Sequence, residues 1–305
     1  MEERKKSLTR RLIKSGALYG GVFFLAFAAT VYWTFPYALV TQKLVSEIER
    51  SFGLNLEMSE ISPHWVLGLK ASDVVVVMGG RQGNERRLEL DSVMVRIRPL
   101  QTILSGPSMA LDLQGELGNL RGTANRTRSQ EIGLDLNVDG ISLGSIPGLA
   151  DSLGVGLLGD ISGNIAVSFP EDSMEKLSGV LDLRIDSSGI GGGMIRGATI
   201  PPIDLGRIEP RIVAEAGVLR IDPNLQVSSD DLDAEVMGTL QLRGNLPTSR
   251  AELTLRFRPT DRFWEANQML AGLARAMLSS AQQGDGFYAY RLSGAIGRPN
   301  FRPAD

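Results

Sequence analysis

Along much of this chain apolar and polar side chains alternate one for one, and any fold it adopts has to satisfy that period of two. Leu134, Leu136 and Val138 alternate with Asp135, Asn137 and Asp139. Leu181, Leu183 and Ile185 alternate with Asp182, Arg184 and Asp186, and Leu253, Leu255 and Phe257 with Thr254, Arg256 and Arg258. Between Leu88 and Arg98 several apolar residues again alternate with charged ones, and Ala71–Met78 reads as a further strand. Successive side chains of a strand point to opposite faces, so each segment has one apolar and one wet face. Such strands belong to antiparallel sheets with one solvated side. Gly, Pro, Asp and Asn punctuate them as turn formers do. A stretch from Gly217 through Leu225 to Leu242 reads as a meander, and a similar phrase, Tyr288 to Pro299, ends the chain. The expected class is mainly β, an antiparallel sheet, curved or sandwich-like, with a few helices. Two arrangements stay open: an apolar face curling into a groove, and a sandwich whose two apolar faces cover each other.

The N-terminal stretch obeys a different rule. From Ser15 to Gln42 there is no charged residue. A helix crossing about 30 Å of hydrocarbon needs about 20 such residues. The segment 16–36 is therefore predicted to be a transmembrane helix, anchored by Leu18, Val22, Phe23, Phe24, Leu25, Phe27, Val31 and Trp33. Trp33, Phe35 and Tyr37 gather at one end, where amphipathic rings favour the membrane interface. Residues 1–15 form a basic tail; Arg10, Arg11 and Lys14 flank the apolar run, and the first fourteen residues sum to +4. By the positive-inside rule that tail is cytoplasmic and the body lies across the inner membrane, in the periplasm. Ala26-Phe27-Ala28 offers a cleavage site for a removed leader. The apolar run continues past it, however, which favours a retained anchor. Beyond Pro36, segment 37–53 carries Leu44, Val45 and Ile48 at helical spacing and reads as an amphipathic helix closed by Gly53. Residues 54–305 are the β-rich domain. A further helix is expected from Asp261, as its cap, through Leu278, closing one end of the apolar face or touching a membrane or partner.

Chemistry is hard to find. The chain has no cysteine and one histidine, His64, which reads as a packing or surface residue. Disulfides, thiolate nucleophiles, histidine triads and multi-histidine metal sites all lack their residues. No phosphate loop, dinucleotide fingerprint, nucleophile elbow or zinc-protease motif occurs. Gly191-Gly192-Gly193 reads as a loop, and Asp230-Asp231-Leu232-Asp233 as a solvated turn rather than a calcium loop. The total charge of −3 leaves −7 beyond the tail, so the body is a poor partner for nucleic acid. No catalytic residue, metal or cofactor is expected, and an enzyme could rest only on a carboxylate pair that no spacing singles out.

Several phrases, in order, resemble the type II secretion system protein N family. They are Thr34-Phe35-Pro36-Tyr37; Ile61-Ser62-Pro63-His64-Trp65-Val66-Leu67-Gly68-Leu69-Lys70; Ile141-Ser142-Leu143-Gly144-Ser145-Ile146-Pro147-Gly148-Leu149; Leu158-Gly159-Asp160-Ile161-Ser162-Gly163; Ile200-Pro201-Pro202-Ile203-Asp204-Leu205-Gly206; and Leu292-Ser293-Gly294-Ala295-Ile296-Gly297-Arg298-Pro299. The Gly-bounded strands also look like those of AsmA-type envelope proteins. The resemblance implies a non-enzymatic accessory subunit of the inner membrane. Its partners would be other inner-membrane subunits of the secretion machine, with the secretin a further candidate and self-association left open. The AsmA likeness implies an alternative, a β-groove that binds or conveys membrane lipid.

Overall fold

The computed structural model describes residues 54–64, 68–78, 86–146, 155–171, 173–195, 198–243, 248–268, 271–272, 278–296 and 300–304. The basic tail, the 16–36 segment and the 37–53 segment lie outside the described residues. So do all the anchor residues, Leu18, Val22, Phe23, Phe24, Leu25, Phe27, Val31 and Trp33, and the flank Arg10, Arg11 and Lys14. Among the described residues no helix is long and apolar enough to cross a membrane.

The alternation does produce strands, seventeen of them in one sheet among the described residues. The first eight form a plain antiparallel meander, each strand paired with the next. They are β1 (Leu54–Pro63), β2 (Gly68–Met78), β3 (Arg86–Ile97), β4 (Ser108–Gly115), β5 (Gly118–Arg126), β6 (Glu131–Ser142), β7 (Val155–Pro170) and β8 (Ser178–Ile195). A seven-residue helix, α1 (Pro99–Ser105), bridges β3 to β4. Proline suits a first helical turn because it has no N–H to leave unsatisfied there.

β8, with 18 residues, is long enough to serve several partners. Its first residues pair with β11 (Arg211–Glu215), its middle with β10 (Ile203–Ile208) and its last with β9 (Ala198–Ile200). β10 and β11 thus act as one strand interrupted at Pro210. Proline cannot donate to a ladder, and its carbonyl instead accepts from the Leu183 N–H at 3.0 Å. β12 (Val218–Ile221) and β13 (Leu225–Ser228) are likewise two pieces along one edge of β14 (Leu232–Gln241), separated at Pro223. From there β15 (Arg250–Pro259), β16 (Tyr288–Ala295) and β17 (Asn300–Pro303) complete the sheet antiparallel. α2 (Asp261–Ala266) sits between β15 and β16.

Among the described residues the pairing runs unbroken from β1 to β17 and does not close on itself, so the sheet is open and antiparallel rather than a two-sheet sandwich. Two sequence expectations need correction. Gly191-Gly192-Gly193 is not a loop; it lies within β8 and pairs with Val155 and Gly156 of β7. A glycine strand shows no side-chain alternation but pairs through its backbone like any other. The second helix is capped by Thr260, whose hydroxyl accepts from the Phe263 N–H at 3.2 Å, while Asp261 occupies its first turn. Its predicted extension takes in residues outside those described. Asp230 and Asp231 do lie in the turn between β13 and β14, with Asp230 exposed, and the turn is bonded as well: Asp230 pairs with Arg262, Asp231 accepts from the Asp204 N–H, and Asp233 belongs to β14.

Candidate functional surface: one sheet, two faces, free edges

Residues directly opposite each other in an antiparallel pair lie on the same face. Following the register across the sheet therefore assigns the faces. One row runs Leu69, Val95, Leu111, Gly122, Leu136, Ile165, Leu181, Ile212, Ile221. The adjacent row on the other face runs Asp112, Arg121, Asn137, Asn164, Asp182, Arg211. In the C-terminal strands, Gly238, Leu253, Leu292 and Phe301 line up on the apolar side. The short alternations visible in the sequence are thus the same two faces, carried across the sheet.

The apolar rows are only half-buried. Leu111, Leu134, Leu136, Ile165, Leu181 and Ile212 all keep some exposure, whereas Val138, Val167, Ala214 and Ala251 are buried among them. Leu158, Leu255 and Phe301 are exposed outright. A leucine covered by a second layer would lose its remaining accessible surface; these are covered chiefly by their lateral neighbours.

At two glycines the neighbouring backbone approaches so closely that a side chain would collide. Gly163 and Gly238 have φ of +145° and +135°, and a Cβ on either would lie 2.2 Å from the Asp182 carbonyl oxygen or 2.1 Å from that of Glu252. Both lie on the apolar face, opposite Leu183 and Leu253. Glycine at such points lets neighbouring backbone approach closely and gives a sheet deliberate curvature.

The polar face is tied together by cross-strand pairs. Asn137 donates to Asn164 at 3.0 Å, Arg121 pairs with Asp112 at 3.3 Å and Arg211 with Asp182 at 3.5 Å. These pairs are solvent-exposed and individually stabilise by at most about 1 kcal/mol. A shallow polar cavity of about 590 Å3 between them is lined by Asn137, Asn164, Asp182, Arg184 and Arg211.

Near the C-terminal end of the face the arginines do more. Arg256 donates to Glu235 at 3.0 Å and to Gln283 at 3.2 Å, and pairs with Asp285. Its guanidinium and that of Arg258 lie 5.0 and 4.7 Å from the centre of the Phe287 ring. The segment before β16 is thereby clamped onto β14 and β15. Asp233 accepts hydrogen bonds from Arg258 and from the Ser228 hydroxyl, which hold its carboxyl below the usual range. Tyr290, on the apolar face, has its phenol pushed up by burial.

β1 and β17 are the outermost strands, each paired on one side only among the described residues. β17 is short and ends in Pro303, features that blunt an edge. β1 offers ten residues. His64, the lone histidine, follows β1; it is half-buried, and its backbone N–H donates to the Gly68 carbonyl at 2.9 Å. No group of three or more metal-ligating side chains gathers among the described residues. The sequence reading named no residue of the apolar face as a site, although its alternation marked that face; α1 went unseen altogether. Comparison of the chain with family models, with curated proteins and with solved structures returned no match.

Proposed function

We propose that this chain is a non-enzymatic accessory subunit of a type II secretion system, tethered to the inner membrane by residues 16–36 with its β-rich body in the periplasm. The ordered phrases shared with the protein N family support this reading. The observation that carries it is the edge of the sheet: among the described residues one side of β1 is unpaired, and such a side can accept a partner strand through main-chain hydrogen bonds. Other inner-membrane subunits, the secretin or a second copy of this chain would supply that strand. Photoreactive residues placed at Ser62 and Phe301 in cells should trap secretion subunits. Recovery of none from either edge counts decisively against the proposal.

The half-exposed apolar face favours a second reading, in which that face shelters acyl chains. Each ~100 Å2 of it covered by lipid gains about 2.5 kcal/mol at ~25 cal/mol per Å2. Extraction and mass spectrometry of the chain purified from membranes in mild detergent should then return bound lipid. Protein consistently free of lipid would dismiss this reading without touching the first.

A further inference from the structure

Among the described residues the two most exposed large hydrophobic side chains are neighbours: Ile103 and Leu104, 75% and 76% accessible, on α1. Lower on the same corner Ile97 and Met109, 48% and 41% exposed, face each other across β3 and β4 on the apolar face. α1 thus sits at the end of β3 and β4 where Ile97 and Met109 are exposed.

Its charge runs against that of the rest of the body. From Ser92 to Leu111 the chain carries Arg96 and Arg98 and no acidic residue. From Leu117 to Gln130 it carries Arg121, Arg126 and Arg128, again without an acid. These two stretches meet at the tip, where the Arg126 N–H donates to the Pro107 carbonyl at 2.8 Å. Of the acidic neighbours, Asp112 is ion-paired to Arg121, Glu171 is ion-paired to Arg126, and Glu131 begins β6. The tip thus has Arg96, Arg98 and Arg128 in its flanking segments, on a chain whose residues beyond the basic tail sum to a net negative charge.

Topology sets this tip apart as well. The sheet begins at Leu54, and β1 runs from there toward the α1 end, beside Leu69 and Val95. At ~3.3 Å per residue, α1 hangs about 30 Å along the strand from that first residue.

We propose that α1 is a membrane-docking element, inserting Ile103 and Leu104 among the lipids of an anionic bilayer while Arg96, Arg98 and Arg128 meet the headgroups. A protein partner fits less well. A stable protein interface needs roughly 1,000 Å2, and a seven-residue helix presenting two adjacent apolar side chains offers a small tip without a groove. Shallow insertion combined with basic flanks is how reversible binding to anionic lipid is built. The inference rests on this corner alone and holds whether or not acyl chains occupy the apolar face.

The cysteine-free sequence makes the test clean, because Ile103→Cys accepts a single environment-sensitive fluorophore. The full chain, carried in zwitterionic nanodiscs, is mixed with phosphatidylcholine vesicles with or without phosphatidylglycerol. The proposal expects a blue shift with the anionic vesicles only, weakened by salt. Arg96→Gln and Arg98→Gln should each weaken binding about fivefold. The same fluorophore at Asn224→Cys, in the turn between β12 and β13, should not respond. Absence of any shift, an equal shift with uncharged vesicles, or a shift seen only when a partner protein is added would each overturn it. So would an Ile103→Asn/Leu104→Asn chain that melts like the parent and binds anionic vesicles just as well.

Discussion

Gly163 and Gly238 do the same work in different halves of the sheet. Each holds a positive φ mid-strand and lets the next strand approach to where a methyl group would overlap a carbonyl oxygen. Gly238→Val should therefore cost about 2–5 kcal/mol, from overpacking of about 1–3 and a backbone penalty of about 1–2. Denaturant unfolding will show it as a lowered midpoint at unchanged slope; a midpoint that does not move would mean the close approach is not needed. In the sequence these glycines look like any turn glycine, because a residue without a side chain does not report which strand packs over it. Asp233 illustrates the opposite case, a residue whose environment only the fold supplies. Its carboxyl is held low by Arg258 and Ser228. A lowered native pKa means the stabilisation is present above the unfolded value, about 3.9, and disappears as pH falls through the native one. Asp233→Asn should then lower the melting temperature at pH 7, by the equivalent of less than about 1 kcal/mol for so exposed a pair. Below the native pKa the two proteins should melt together. A difference that persists in strong acid would point to packing rather than charge.

At the scale of elements, strands with side-chain alternation were legible, and β2, β3, β6, β8, β12–β15 and β16 all contain the segments the pattern marked. The exceptions have local causes. Three glycines hid the end of β8. A prolyl residue split one strand position into β10 and β11, and another split one into β12 and β13. Seven residues are too few for helical periodicity to announce α1, whose only signals were Pro99 at its start and Gly106 after its end. The segment before β16 depends on side chains from three places in the sequence, so no local pattern could have shown its clamp. Arg256→Ala removes the contacts to Glu235, Gln283 and Asp285 together. Hydrogen exchange at Phe287 and Tyr288 should accelerate at least fivefold, consistent with losing about 1–2 kcal/mol of charge-assisted hydrogen bonding. Unchanged protection would show that backbone pairing alone holds the segment. Thr260→Ala should cost α2 its cap, about 1 kcal/mol, and a shift in melting temperature will register it.

For the whole molecule, alternation foretold that one face would be apolar, but it could not tell a groove from a sandwich. Both demand the same one-sided strands. The difference lies in how far pairing continues, which is a property of register. Continuous pairing from β1 to β17 leaves one sheet whose apolar side chains are half-buried among themselves. Such a surface is costly to leave in water, and the polar face, with its paired aspartates and arginines, keeps its other side wet. The secretion reading rests on the β1 edge, and the lipid reading on the apolar face that the described residues leave half-exposed. The most direct measurement places a photoreactive benzophenone at Leu136 or Ile165, and for comparison at Asn137 or Asn164, in the full chain within native membranes. Mass spectrometry of the adducts should find acyl chains attached from positions 136 and 165 and none from 137 and 164. Adducts from 136 and 165 solely to another segment of this chain would show the face covered by protein, and would contradict the account.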